Sequence, residues 1–196
     1  MNLANKLTIL RIILVPLMVI IPFLNIEGSI YGIPTSFLII DIIFAIAAIT
    51  DKLDGYIARS RNQITTFGKF LDPIADKIVV VAAMIMLVEF GHLPSVIPII
   101  VIFREFVVSG YRLIAVQKNG EVIAANFWGK LKTVTQMIAI ILAFIDPNPY
   151  GAIFNGELTG YKFLINLAVT LTMSVSVVAT IFSGWEYVKG GKDLLK

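Results

Sequence analysis

Four aspartates at helical spacing are the residues of this sequence best suited to chemistry. They are Asp51, Asp54, Asp72 and Asp76. Residues three or four positions apart lie on one face of a helix, so the members of each pair should point the same way. Neither histidine nor cysteine accompanies them, and such a hard oxygen-ligand set suits Mg²⁺ or Mn²⁺ and disfavours zinc. Two such ions about 4 Å apart would offset the negative charges and stabilise the attacking and leaving oxygens of a phosphoryl transfer.

Residues with very small side chains share these two helix faces. Gly55 and Ala58 continue the face of the first pair, and Gly68 lies one turn before the second pair. Their size leaves room for a bulky ligand, such as a nucleotide, to lie against the backbone.

The helices that must position these residues are strongly apolar. Of 196 residues, 58% are hydrophobic and 15% are charged, and the mean hydropathy is +0.89. A soluble domain usually has about 45–50% apolar and about 25% charged residues. The absence of cysteine excludes a disulfide scaffold, and the net charge of +3 is too small to argue for a nucleic-acid partner. We therefore expect a single all-α integral membrane domain over residues 1–196.

Six apolar runs predict six transmembrane helices. The runs are residues 12–26, 28–50, 78–88, 93–103, 133–145 and 163–185. A span needs about 20 residues, so the third, fourth and fifth runs must continue into the charged stretches at 72–77, 104–118 and 130–132. Charged groups inside a membrane helix face a cavity or a partner, because exposing them to lipid costs several kcal/mol. The charged halves should therefore line a shared polar cavity at one membrane surface.

Lysine and arginine fall almost entirely on one side of this six-helix arrangement. Of the 16 basic residues, only Lys162 is assigned to the other side. The positive-inside rule then places both termini and the cavity opening in the cytoplasm. Arg11, at the edge of the first run, is expected to extend toward the lipid headgroups. Asp41 lies about 15 Å along the helix from Asp51 and is expected to be a buried hydrogen-bonded or interface residue outside the site.

Several other residues have structural interpretations. Pro73 is expected in the first turn of its helix, where its missing N–H costs nothing. His92 is expected in an outer turn between two helices, together with Gly91 and Pro94. The aromatic residues expected at the membrane interface are Trp128, Trp185 and Tyr187.

The carboxylate pattern resembles the signature of the CDP-alcohol phosphatidyltransferases. The string Asp-x-x-Asp-Gly-x-x-Ala-Arg runs from Asp51 to Arg59, and Gly-x-x-x-Asp-x-x-x-Asp follows after eight residues, from Gly68 to Asp76. Every fixed position is present. The resemblance covers the whole chain and implies a six-helix membrane enzyme that acts as a homodimer.

This resemblance also implies the chemistry of the site. The four aspartates would hold two Mg²⁺ or Mn²⁺ ions on the pyrophosphate of CDP-diacylglycerol, and CMP would leave. Asp76 would also take the proton from the attacking hydroxyl of the acceptor. The residues implied to contact the donor are Asn5, Thr8, Gly55, Ala58, Arg59 and Gly68.

Two further stretches resemble the bacterial members that use sn-glycerol 3-phosphate as acceptor. One is residues 5–11, and the other is residues 104–106 with Ser109 and Arg112, followed by residues 129–133. The phosphate of this acceptor needs basic partners. The candidates are Arg104, Arg112, Lys130 and Lys132. Such an enzyme would lie among the lipids of the bacterial cell membrane, with its active site facing the cytoplasm.

Two alternatives stay open at this stage. A sister transferase could use inositol phosphate or serine as its acceptor. A cation carrier or channel could use the carboxylates as an ion path, although such paths distribute charge through the membrane depth.

Overall fold

Six α-helices dominate the computed structural model, which describes residues 2–60, 66–119 and 127–190. The helices are α1 (Leu3–Ile20), α2 (Thr35–Ser60), α3 (Thr66–Glu89), α4 (Val96–Asn119), α5 (Phe127–Ile145) and α6 (Gly160–Gly190). Two 3₁₀ turns, at Ile21–Leu24 and Ala152–Asn155, follow α1 and precede α6. The all-α prediction is confirmed for these residues, apart from a small β-hairpin between α1 and α2.

The hairpin pairs β1 (Ser29–Ile30) with β2 (Ile33–Pro34) and delays the start of the second helix. Gly28 and Gly32 adopt positive φ angles of 111° and 81°, which a right-handed helix cannot contain. The apolar run at 28–50 is therefore helical only from Thr35 onward. The sequence prediction missed the hairpin because hydropathy does not detect such a turn.

The three short apolar runs do continue as helix into their charged stretches, as expected. Pro73, however, lies two turns inside α3, so its expected place in the first turn is wrong. Its missing N–H leaves the carbonyl of Lys69 without its helical partner. The longer helix keeps Gly68 buried on the same face as Asp72, which a helix beginning near Pro73 would not do.

Successive helices run in opposite directions, as the contacts at the two ends of the bundle demonstrate. At one end, the ring of Phe37 stacks on Phe90 and meets His92 and Phe144 edge-on. His92 lies in the turn between α3 and α4, as predicted, and its carbonyl accepts a hydrogen bond from the N–H of Tyr150. The charged side chains gather at the opposite end.

The outer surface of the bundle is apolar. Phe103 and Phe106 on α4 are 71% and 76% exposed, and Trp185 on α6 is 66% exposed, as expected of an interfacial aromatic. Three helical segments among the described residues are long and apolar enough to cross a membrane: Asn5–Leu24, Phe127–Ile145 and Gly160–Gly190. These features fit an all-α membrane protein.

Candidate active site

Helix α1 fixes one carboxylate on each of the two neighbouring helices. The Thr8 hydroxyl donates a hydrogen bond to Asp72 Oδ1 at 2.7 Å. The guanidinium of Arg11 forms an ion pair with Asp51, with 2.9 Å between Nη1 and Oδ1. Thr8 and Arg11 are three residues apart and both 1% exposed, so one buried face of α1 orients both carboxylates.

The expectation that Arg11 extends toward the headgroups is therefore wrong. A long basic side chain near a helix end reaches the interface when no anion is nearer. Here Asp51 supplies that anion inside the bundle.

Asp76 lies one turn after Asp72 on α3 and shares an electrostatic environment with the other acids. The negative charge of Asp51 acts against its ionised form, while Arg11 and Lys132 favour it. Asn5 is buried on α1, three residues before Thr8, and Gly68 is buried on α3. These predicted donor residues therefore lie within the packed helices and not on the outer surface.

Part of the predicted site lies outside the described side chains. Asp54 is three residues after Asp51 on α2, but its side chain is outside the described residues, as are those of Ala58 and Arg59 and the surroundings of Gly55. Among the side chains that are described, no three acidic, histidine or cysteine groups are close enough together to hold a metal ion. The convergence of all four carboxylates stays a prediction.

A second cluster of charges is centred on Glu105 of α4. One oxygen of its carboxylate, Oε1, lies 2.7 Å from Arg104 Nη1 and 2.6 Å from Lys132 Nζ. The other oxygen lies 3.7 Å from Lys77 Nζ, and Lys77 also donates a hydrogen bond to Ser109. We call Lys77, Arg104, Glu105 and Lys132 the Glu105 cluster.

The Glu105 cluster adjoins Asp76. A narrow cavity of about 30 Å³ is lined by Asp76, Lys77, Glu105 and Lys132, together with Gln136 and neighbouring residues of α3, α4 and α5. Residues from the charged halves of three helices thus line one cavity, as the sequence predicts, but Lys132 is the one predicted acceptor residue among the described lining residues, which include neither Arg104 nor Arg112. Lys130 is exposed and does not line this cavity, because residues two apart on a helix face different ways.

Helix α6 supports the two arginines of α4. Arg112 donates a hydrogen bond from Nη2 to the Tyr187 hydroxyl at 2.6 Å, and its Cζ lies 5.3 Å from the centroid of the ring. Arg104 Cζ lies 5.9 Å from the same ring, and Nη2 donates to the Ser183 hydroxyl. Tyr187 is 6% exposed, so its interpretation as an interfacial aromatic is wrong. The cation–π and hydrogen-bonding partners on α4 keep the ring inside the bundle.

Comparison with known proteins identifies the family. The family model described as CDP-alcohol phosphatidyltransferase matches residues 1–182. The chain belongs to the CDP-alcohol phosphatidyltransferase family. The resemblance in the aspartate pattern is thereby confirmed.

Several similar proteins carry the names of phosphatidyl-transferring enzymes. A Bacillus subtilis CDP-diacylglycerol–glycerol-3-phosphate 3-phosphatidyltransferase is 42% identical over 200 residues, covering 100% of this chain and 97% of the relative. A Haemophilus influenzae protein of the same name is 37% identical and covers 99% of this chain and 95% of the relative. A Mycobacterium tuberculosis protein, described as a probable phosphatidylglycerophosphate synthase, is 35% identical over 95% of this chain and 80% of the relative.

The carboxylate oxygens in the site of this CDP-alcohol phosphatidyltransferase are suitable ligands for a hard divalent cation. The described carboxylates of Asp51, Asp72 and Asp76 offer only oxygen ligands, which Mg²⁺ and Mn²⁺ prefer. The repulsion between Asp51 and Asp76 is the kind of interaction that a bound cation relieves. Arg11 of α1 contacts Oδ1 of Asp51, and Thr8 of α1 contacts Oδ1 of Asp72.

The sequence did not reveal the partners of the predicted residues. Arg11 lies at the end of the stretch at residues 5–11, but nothing in that stretch indicates that it pairs with Asp51. Glu105 lies between basic residues that were assigned to the acceptor, and its role as their common anion needs the packing of α3, α4 and α5. An acidic residue directly after an apolar run that is too short to span alone is the signal that could have pointed to it.

Proposed function

We propose that this chain transfers the phosphatidyl group from CDP-diacylglycerol to sn-glycerol 3-phosphate, producing phosphatidylglycerophosphate and CMP. Relatives that match nearly the whole chain carry the name of this activity. The observation that carries the proposal is that Asp76 lines the same cavity as Lys77 and Lys132. A base for a hydroxyl and cations for a phosphate are what this acceptor requires.

The reaction needs one bond to form and one to break. The C1 hydroxyl oxygen of glycerol 3-phosphate attacks the phosphorus that carries the diacylglycerol. The bond from that phosphorus to the CMP oxygen then breaks, and CMP leaves with the electron pair. Asp76 accepts the hydroxyl proton as the new bond forms, which is general base catalysis by a positioned carboxylate. A covalent enzyme intermediate is not required.

The aspartates that would hold two Mg²⁺ or Mn²⁺ ions are Asp51, Asp54, Asp72 and Asp76. When bound, such ions supply neutralisation of the pyrophosphate and of the charge that develops on the leaving oxygen. Thr8 and Arg11 hold Asp72 and Asp51 in position for this role. Asn5, Gly55, Ala58, Arg59 and Gly68 contact the donor.

The acceptor phosphate is held by the basic side chains of α4 and α5. Lysine has three N–H donors, and Lys132 has one engaged with Glu105, so others remain for an anion. The buried Nε atoms of Arg104 and Arg112 have no hydrogen-bond partner among the described residues. Lys130, exposed on α5 and not among the residues lining the cavity, contributes its positive charge from a greater distance.

The proposed location is the bacterial cell membrane. Six spans with both termini in the cytoplasm are supported by the one-sided distribution of basic residues and by the gathering of charged side chains at one end of the bundle. In this arrangement the active site opens to the cytoplasm, where a soluble sugar phosphate can reach it. The enzyme acts as a homodimer surrounded by lipid.

The decisive experiment is an acceptor panel on purified protein. Glycerol 3-phosphate, inositol phosphate, inositol and serine are each supplied with labelled CDP-diacylglycerol, with and without EDTA. We expect CMP release with glycerol 3-phosphate alone, loss of that release in EDTA, and its recovery when Mg²⁺ or Mn²⁺ is added in excess.

Other outcomes of the panel identify the alternatives. Release with inositol phosphate in place of glycerol 3-phosphate would indicate a sister transferase, since the basic side chains suit either phosphate. Release with serine would leave those side chains without a role. No release with any acceptor, together with metal flux through vesicles, would favour a cation carrier.

A further inference from the structure

We propose that Glu105 is the positioning residue of the acceptor pocket: its carboxylate holds Arg104 and Lys132 in place to receive the acceptor phosphate and stays in the pocket when that phosphate binds. This inference rests on the proposed function. In this proposal an anionic residue, Glu105, strengthens the binding of another anion, the acceptor phosphate.

The contacts of Arg104 are the first argument. Side chains of adjacent residues on a helix normally diverge, yet Arg104 Nη1 lies 2.7 Å from Glu105 Oε1. Its Nη2 donates a hydrogen bond to the Ser183 hydroxyl. Its Cγ lies so close to Gly184 that a Cβ added there would be 3.3 Å away. Glu105 and Ser183 therefore hold the two terminal nitrogens of the guanidinium, and α6 packs closely against the aliphatic part of the side chain.

The burial of the cluster is the second argument. The side chains of Glu105 and Lys132 are 16% and 9% exposed. Positive charges this close repel one another, and a shared carboxylate offsets that repulsion better than distant solvent does. Without Glu105, Lys132 would be expected to move away from Arg104 toward the cavity.

The charge of the cluster is the third argument. Three cations share one carboxylate, so two positive charges among these four side chains are uncompensated. That excess is opposite and equal to the charge of a phosphate monoester dianion.

The neighbouring acid explains why the carboxylate stays. Glu105 and Asp76 already act on each other as like charges. A phosphate that took over Arg104 and Lys132 would leave Glu105 buried beside Asp76 without its cations, which is strongly unfavourable. The phosphate instead binds from the cavity side, to Lys77 and the remaining donors of Lys132, which line that cavity, and to the guanidinium of Arg104 beside Glu105.

The opposite possibility makes the proposal testable. If Glu105 only occupied the phosphate position until the acceptor displaced it, removing its charge would strengthen anion binding. If it positions the cations, removing its charge weakens anion binding. The two roles predict changes of opposite sign.

The experiment compares Glu105→Gln and Glu105→Asp with the wild-type full-length chain, using steady-state release of CMP. For Glu105→Gln we expect KM for glycerol 3-phosphate to rise about tenfold or more, because an amide cannot hold two cations as a carboxylate does. KM for CDP-diacylglycerol should change little, while the thermal midpoint in detergent should fall, because three cations lose their shared carboxylate. Glu105→Asp retains the charge but withdraws it by one methylene, so we expect an intermediate rise.

Glu89→Gln is the matched control, because Glu89 is exposed at the far end of α3 and loses the same charge. Its kinetic constants should equal those of the wild type. A fall in KM for glycerol 3-phosphate in Glu105→Gln would overturn the proposal in favour of displacement. An equal change in both KM values would overturn it in favour of a general structural role.

Two further measurements keep the test decisive. If Glu105→Gln does not fold, Glu105→Asp alone decides, and a wild-type acceptor KM in that variant would overturn the proposal. Binding of inorganic phosphate, followed as stabilisation of the thermal midpoint, should be lost in Glu105→Gln and retained in Glu89→Gln. Phosphate binding of this kind without any turnover in the wild type would contradict the proposed function while leaving the positioning role supported.

Discussion

Arg11 of α1 and Asp51 of α2 form an ion pair in which Nη1 lies 2.9 Å from Oδ1 and the arginine side chain is 1% exposed. The pair joins the first helix to the first carboxylate of the aspartate pattern. The charge of Arg11 also reaches Asp76 on α3, so a single cation influences acids on two helices. Helix α1 thus takes part in organising the acids as well as in packing.

Replacing Arg11 with methionine is expected to lower both the thermal midpoint and the rate of CMP release. Asp51 would lose its cation while keeping its place near Asp76. Removing one partner costs about 3–5 kcal/mol in a buried pair and far less at a surface, and Asp51 is 37% exposed, so we expect a loss of about 1–3 kcal/mol. Thermal unfolding in detergent and CMP release measure the two effects.

Arg11→Lys is the matched control for this substitution. It keeps the charge but loses the planar fork, so its stability and activity should lie between those of the wild type and Arg11→Met. An unchanged midpoint in Arg11→Met would contradict a stabilising role for the ion pair.

Replacing Asp76 with asparagine is expected to abolish CMP release while leaving the protein folded. The amide is nearly the same size as the carboxylate but cannot accept the hydroxyl proton. Binding of CDP-diacylglycerol in the presence of metal should be retained, and it can be measured separately from turnover. Retained turnover would remove Asp76 from the role of base. Glu157→Gln, in the exposed loop before α6, removes an acid far from the cavity and should behave as the wild type.

Much of the helical fold could be predicted from hydropathy alone. The turn at Gly91 was predictable because a glycine and a nearby proline interrupt an apolar run there. The hairpin after Gly28 was not, because its residues are as apolar as those of the helix that follows. Pro73 shows the same limit, since packing of α3 against α1 outweighs the local cost of a proline inside a helix.

Within the site, spacing along one helix predicted which residues share a face but not what that face contacts. Arg104 and Arg112 do share a face, since both contact the ring of Tyr187. Tyr187 and Arg11 were misassigned because an amphipathic side chain near a helix end has two possible environments, the lipid interface and a charged partner inside the bundle. The choice depends on neighbouring helices, which a single sequence does not reveal.

Replacing Arg112 with alanine is expected to raise KM for glycerol 3-phosphate about tenfold or more, and KM for CDP-diacylglycerol much less. The substitution removes a cation that Tyr187 holds at the acceptor end of α4, and charge-assisted hydrogen bonds to phosphate are among the stronger ones. Lys189→Ala provides the comparison, because Lys189 is an exposed basic residue near Tyr187 on α6. An equal effect of Arg112→Ala on both substrates would place Arg112 outside the acceptor pocket.

The six-span arrangement can be tested by cysteine labelling, because the natural chain contains no cysteine. Single substitutions Glu157→Cys and Lys189→Cys introduce thiols at exposed positions at opposite ends of α6. In intact cells an impermeant thiol reagent should label Glu157→Cys and spare Lys189→Cys. Permeabilised cells should label both, which confirms that each thiol is reactive. The reverse pattern would place the active site outside the cytoplasm.

Replacing Gly184 with valine is expected to raise KM for glycerol 3-phosphate by displacing Arg104. A Cβ at position 184 would lie 3.3 Å from Arg104 Cγ, and the two further methyl groups of valine require the arginine to move. Overpacking of this kind costs about 1–3 kcal/mol, so the thermal midpoint should fall as well. Gly110→Val is the matched control, because a Cβ at that position on α4 meets nothing within 4 Å while the change in helix propensity is the same. Equal acceptor KM values in the two variants would show that the approach of α6 to Arg104 has no part in binding the acceptor.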